Sequence, residues 1–249
     1  MPETAVYVYG IVPADVETDP DARGVRDAGV HVVRQGEIAA LVSPLTGEGP
    51  LGRPEDLTAH AALLDGAAAE VPVLPLRFGA ALADEQAVVD ELLSAHHDEF
   101  AAAIAELEGK AQYVIKGRYD EAAILSEILA ENEQVVQLRQ AIQGKPDDAT
   151  RNERIALGEQ INNAIEAKRQ ADTQAVADVL TRHGVLLNVR EPTHEEDAVH
   201  IACLSETAKQ ADLESSVGEL ARAWEGRVKL RLLGPLAPYD FVVGQSGEQ

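Results

Sequence analysis

Hydrophobic positions along the chain fall into short continuous or alternating runs at both ends and into helical spacings between them. Residues Ala5 to Val12, AVYVYGIV, are an unbroken apolar run of β-branched and aromatic residues closed by Pro13, the pattern of a strand buried on both faces. Val30 to Arg34 and Glu37 to Ser43 predict two further strands, and the two residues between them, Gln35 and Gly36, suit a tight hairpin. Pro54 stands where a first helical residue should, and Leu57, His60, Ala61 and Leu64 recur at helical spacing through about Ala69. The segment VPVLPLRFGA, Val71 to Ala80, has too many prolines for a central strand and too much apolar content for a free loop, so it reads as an ordered edge or crossing segment. A single helix is expected from Asp84 to Glu108, with Val88, Val89, Leu92, Phe100, Ile104 and Leu107 on one stripe and Gly109 as its stop. The domain boundary is placed there, giving an N-terminal α+β domain over 1–109 and a second domain over 110–249.

The second domain reads as strand Tyr113 to Tyr119, helical stretches from about Glu121 to Ile142 and Thr150 to His183 broken by GKPDD, and strands Val185 to Arg190 and Ala198 to Leu204. A helix over Ser205 to Trp224 and a strand over Arg227 to Leu233 complete it. That order, βαββαβ with a long two-part helical insertion, is the split arrangement called ferredoxin-like, so the fold class is α+β with two domains. The closing strand is expected to stop at Gly234 and Pro235. Tyr239, Phe241 and Val242 beyond it supply apolar surface for docking, so the tail is expected to fold back across the domain junction.

In each strand of the second domain one parity is apolar, while the other carries Lys116, Arg118, Asn188, Arg190, His200, Lys229 and Arg231. The split order sets first and last strands side by side, which gathers Lys116, Arg118, Lys229 and Arg231 into one basic patch on the helix-free face. Three readings of that patch stand together: a solvated face, a surface docked on the first domain, or a partner site.

Charge narrows the choice of partner. The 249 residues carry 21 basic and 43 acidic side chains, a formal charge of -22, which opposes non-specific binding to nucleic acid or an anionic membrane. RNA binding on the sheet would also need outward aromatics, and Val114, Ala202 and Leu204 hold the outward positions instead, with Tyr113 and Tyr119 on the buried parity. One cysteine, Cys203, sharing parity with Val199 and Ile201, excludes a disulfide framework and suits a reducing compartment. The N-terminal MPETAVYVYG has no signal-peptide pattern, and a cytoplasmic protein is expected.

Candidate chemistry is sparse. Gly47, Gly49 and Gly52 in GEGPLG match a dinucleotide fingerprint, but Pro50 stiffens the loop and no parallel βαβ repeat surrounds it. The acidic DVETDPDARG, from Asp15, fails as a calcium loop at Pro20 and Arg26. His96 and His97 diverge on a helix, and His194 and His200 lack obvious companions for a metal. No cofactor and no enzyme activity are expected. Arg77, between Leu76 and Phe78, is expected to find a carboxylate or several carbonyls, with His60 nearby.

AVYVYGIV at the start, His60 upstream of VLPLRFGA, the strand at YVIKGRYDE and LRLLGPLAPYDFV at the end together resemble the GvpL/GvpF family of accessory gas vesicle proteins, over nearly the whole chain. The most specific pieces are PLRFG, Pro75 to Gly79, and LGPLAPYDFV, Leu233 to Val242. Where that family often has a tryptophan and a further proline in the closing motif, this chain has Leu236 and Ala237. The resemblance implies a minor, non-enzymatic component of gas vesicle assembly, located in the cytoplasm and at the gas vesicle. It also implies contact with the small hydrophobic wall protein and other accessory proteins, while the charge balance leads to the expectation of no nucleic-acid or membrane partner. Candidate contact or structural residues are His60, Pro75, Arg77, Phe78, Lys116, Arg118, Lys229, Arg231, Tyr239 and Phe241. The contact segments put forward are Val71 to Ala80, Leu233 to Val243, and the helices between Glu121 and His183.

Overall fold

The computed structural model describes residues 5–45 and 51–242, so Gly47, Gly49 and Pro50 of the glycine loop and Val243 of the tail lie outside the described residues. The chain forms two compact units, one within 1–113, 204–209 and 234–249, the other within 114–203 and 210–233.

The first unit is built around β1 (Val6–Pro13), the continuous apolar run. β3 (Ile38–Pro44) pairs antiparallel along its whole length, β2 (His31–Gln35) lies beyond β3, and β4 (Leu74–Pro75) and β5 (Ala81–Leu82) pair with the opposite edge. The expected hairpin forms one residue later, with Gly36 at φ +60 and Gln35 inside the ladder. A register shift between Val8 and Gly10 marks a bulge. It lets Val6, Val8 and Ile11 share one face although strict alternation would separate them, while Tyr7, Tyr9 and Val12 share the other. Gly10 is fixed by close approach, since a Cβ there would stand 2.8 Å from the Leu74 carbonyl oxygen.

Each face has its own helical cover. α1 (Pro54–Glu70) begins on its proline and turns His60, Leu64 and Ala68 inward at four-residue intervals. The opposite face is covered by a stretch expected to be one helix. It is instead α2 (Glu85–Ala87), a π-helical turn over Val88–Leu93, and α3 (His97–Leu107), with a break at His96. The wider turn explains why Val88 and Leu93, five residues apart, are both fully buried while Val89 and Leu92 are only partly so.

The second unit takes up β6 (Lys110–Tyr119) from Val114 onward, then α4 (Glu121–Glu131), α5 (Glu133–Ile142), α6 (Arg151–Thr181), β7 (Leu186–Val189), β8 (Asp197–Glu206), α7 (Gln210–Ala223) and β9 (Val228–Leu236). The sheet order is β7-β8-β6-β9, which sets the first and last of these strands side by side. The first helical stretch is cut in two at Asn132, whose side chain accepts hydrogen bonds from the Gln134 and Val135 N–H groups and starts a new helix. α6 has 31 residues and its buried side chains begin only at Asp172. At 1.5 Å per residue it is about 46 Å long.

Two expectations fail here. β9 does not stop at Gly234 but runs to Leu236. Gly234 adopts φ +140, and a Cβ on it would stand 2.6 Å from the Tyr113 ring, so the strand passes Tyr113 only because the position has no side chain. The outward parity is also more covered than alternation suggests: Val114, Ala202, Leu204 and His200 are all buried. His200 Nδ1 donates to the Glu191 carbonyl at 3.2 Å, and Arg190 donates to its Nε2 at 3.3 Å. Val189, expected inside, is 58% exposed because β7 is the edge strand.

Candidate functional site

In the first unit the structure brings three candidates, His60, Phe78 and Tyr239, into one cluster around β1. The Tyr7 hydroxyl accepts the Gly79 N–H at 3.0 Å and lies 2.9 Å from His60 Nδ1. On the other side of the ring Nε2 lies 2.8 Å from the Tyr239 hydroxyl, so each imidazole nitrogen has a hydroxyl partner. Phe78 meets the imidazole edge-on at 5.5 Å between ring centres, and Tyr9 stacks on it at 5.7 Å. Burial lowers the His60 pKa, with the Leu76 backbone pulling the other way. Burial also pushes Tyr7 up to about 12 and raises Tyr239, the latter with help from the Asp65 charge. A neutral imidazole with both nitrogens engaged joins the closing motif to α1 and β1.

The rest of the tail is held the same way. The Ala237 N–H donates to Asp65 Oδ1 at 2.9 Å and the Asp240 N–H to Gln112 Oε1 at 3.0 Å, while Phe241 and Val242 pack against the cluster on the opposite face from His60. Pro75 is buried in β4 opposite Gly10. Arg77 departs from expectation: its side chain is exposed rather than caged by acceptors, because the segment's apolar neighbours turn inward and leave it on the outer side. Tyr7, Tyr9, Asp65 and Gln112 were not singled out in the sequence. Two tyrosines at i and i+2 in an otherwise apolar strand were the available signal, since a buried hydroxyl requires a partner. Tyr9 meets that need with Ser43 at 2.8 Å and the Val25 N–H at 2.7 Å.

In the second unit Lys116 and Arg118 on β6 and Lys229 and Arg231 on β9 are all exposed and line one cavity of about 780 Å³. Arg227 and Tyr119 also line it. Arg227 is saturated: its Nε donates to Glu127 at 2.7 Å and its Nη1 and Nη2 to Asp172 at 3.0 and 2.9 Å, with Tyr119 donating to the same Asp172 at 2.7 Å. Lys168 closes the network onto Glu127 and Glu131. The hydrogen bond from Arg227 is the main reason the Glu127 pKa is lowered. For Arg227 itself burial opposes the charge, but its two carboxylate partners together outweigh burial and its pKa rises. This network holds α4 and α6 to β6 and to the residue just before β9.

Comparison with known proteins defines the lineage. The family model described as "Gas vesicle synthesis protein GvpL/GvpF" matches residues 5–243. A gas vesicle protein F of Streptomyces sp. (strain CB03234) is 30% identical over 96% of this chain and 99% of that protein. One from Dolichospermum flosaquae is 25% identical over 95% and 96%. The fold is that of the crystal structures of GvpF from Anabaena sp. PCC7120, with TM-score 0.77 at 22% identity over 95% of this chain and 97% of that one, and from Microcystis aeruginosa, with TM-score 0.74 at 23% identity over 96% and 98%. The chain belongs to the GvpL/GvpF family of gas vesicle synthesis proteins.

Proposed function

We propose that this protein takes part in gas vesicle formation as a non-enzymatic assembly factor in the cytoplasm and at the nascent vesicle, binding the small hydrophobic wall protein and keeping it dispersed until it is incorporated. The observation that carries the reading is the family match running through both units, from residue 5 to residue 243. The engagement of both His60 nitrogens supports a structural rather than catalytic role for that side chain. Among the described residues no helix is long and apolar enough to cross a membrane.

Of the three contact segments put forward, two are occupied within the first unit: Val73, Leu74 and Leu76 in one and Ala237 in the other are buried. The helical hairpin of α5 and the first two-thirds of α6 is not. Val135 is its buried apolar residue, and Ile155 is 52% exposed. A half-buried seam with polar flanks suits reversible capture of an apolar partner. Immobilised intact chain should retain purified wall protein, and a variant with residues 134–168 replaced by a short loop should retain at least about tenfold less, a loss of roughly 1.4 kcal/mol. Failure of the intact chain to bind, in a host where deleting its gene leaves normal gas vesicles, would overturn the reading.

A further inference from the structure

We infer that the cavity between β6 and β9 is a binding site for an extended acidic peptide segment of a partner protein, with carboxylates on alternate residues. Lys116 and Arg118, and likewise Lys229 and Arg231, are spaced by two on neighbouring strands, so all four side chains project to one side of the sheet. Among the described residues Lys116, Lys229 and Arg231 have no carboxylate within ion-pair distance, and Arg118 reaches Glu196 and Asp197 only at 3.8 and 3.6 Å. Acidic residues outnumber basic ones 43 to 21, so neutralising partners are abundant, and Arg227 at the cavity wall holds two of them at short range. Three cations without a carboxylate among the described residues and a fourth held only loosely by two lie on adjacent strands and repel one another, and an incoming anion relieves that repulsion.

The geometry selects the anion. Side chains two apart on a strand are about 6.8 Å apart, and so are carboxylates on alternate residues of an extended peptide, so the two rows match in step. Asp120, Asp197 and Glu225 also line the cavity. They lower the net positive charge that attracts a polyanion such as a phosphodiester backbone. The residues that RNA would need as stacking platforms are absent from the exposed face: Val114 and Ala202 are buried, and the Tyr119 hydroxyl is bonded to Asp172. This site is separate from the helical hairpin and does not depend on wall-protein binding.

The test is fluorescence anisotropy of the full chain with a labelled peptide of alternating glutamate and serine, with a lysine–serine peptide and a uridine oligonucleotide as comparison probes. The glutamate peptide should bind, and weaken by about tenfold both on raising salt from about 20 to about 200 mM and in the K229E/R231E variant. K209E, reversing a lysine already paired with Glu206 at 2.7 Å, should leave affinity within about twofold. If circular dichroism shows K229E/R231E unfolded, K116A and R231A separately should each weaken binding by about threefold. No binding of the glutamate peptide, equal loss in K209E, tighter binding of the oligonucleotide, or salt-sensitive self-association in place of peptide binding would each overturn the assignment.

Discussion

A single imidazole shows how chemistry and packing are joined in the first unit. His60 is neutral in the fold because burial removes the water that would solvate its charge, and its nitrogens meet hydroxyls rather than a carboxylate. Its folded pKa is depressed, so the unfolded chain binds this proton more readily. The contribution of His60 to stability is therefore fully present above the unfolded value of about 6.5 and is lost as pH falls through the folded pKa. Denaturant titrations of the first unit, followed by tyrosine fluorescence between about pH 7.5 and 5.5, should show stability falling toward the acid side, with a shallower slope in H60Q. Equal slopes would mean that His60 binds its proton equally well in the folded and unfolded chain, so that burial does not depress its pKa. Removing the ring, as in H60A, leaves a cavity and two tyrosine hydroxyls without their partner, a cost of about 3 kcal/mol.

At the scale of elements, the closing segment contributes to the first unit although it follows the last strand of the second sheet. Deleting residues 235–249 removes the Ala237–Asp65, Tyr239–His60 and Asp240–Gln112 hydrogen bonds and uncovers both core clusters. The loss should come to several kcal/mol, on the order of 4. It should appear as lost amide-exchange protection in β1 and β3, and protection unchanged in those strands would show that the tail is dispensable. Sequence patterning located β1, the hairpin, α1 and the strand order of the second sheet well, because each has a clean period and clear end signals. It missed what depends on spatial neighbours: the bulge that divides β1 between two cores, the π turn that aligns Val88 with Leu93, and the continuation of β9 past Gly234 beside Tyr113. Asn132 is a residue type that caps helices, but a helical period continues on both sides of it, so the pattern alone predicts one helix where there are two. Among the candidate residues His60, Phe78 and Tyr239 meet in one cluster, a grouping that no spacing in the sequence announces. Arg77 did not find its expected partners, because one exposed arginine in an apolar segment can be accommodated by turning outward.

For the molecule as a whole, charge decides how it behaves with an apolar partner. With a formal charge of -22 and a sequence pI near 4.6, copies repel one another at neutral pH. The proposed complex with the wall protein would inherit that repulsion, provided the partner is not equally basic, which would disperse an aggregating partner without any chemical step. The charge consists mainly of carboxylates, so it declines as pH falls toward 4.6, and repulsion and solubility decline with it. Light scattering of the protein alone should stay flat from about pH 8 to 6 and rise as pH approaches the pI. Adding salt at pH 7 shortens the reach of the repulsion from about 30 Å at 10 mM to about 8 Å at 150 mM, so any chaperoning of the wall protein that rests on charge should weaken over that range. If suppression of wall-protein aggregation is instead independent of both salt and pH, the effect resides in direct coverage of apolar surface by the helical hairpin, and the deletion of residues 134–168 should then abolish it.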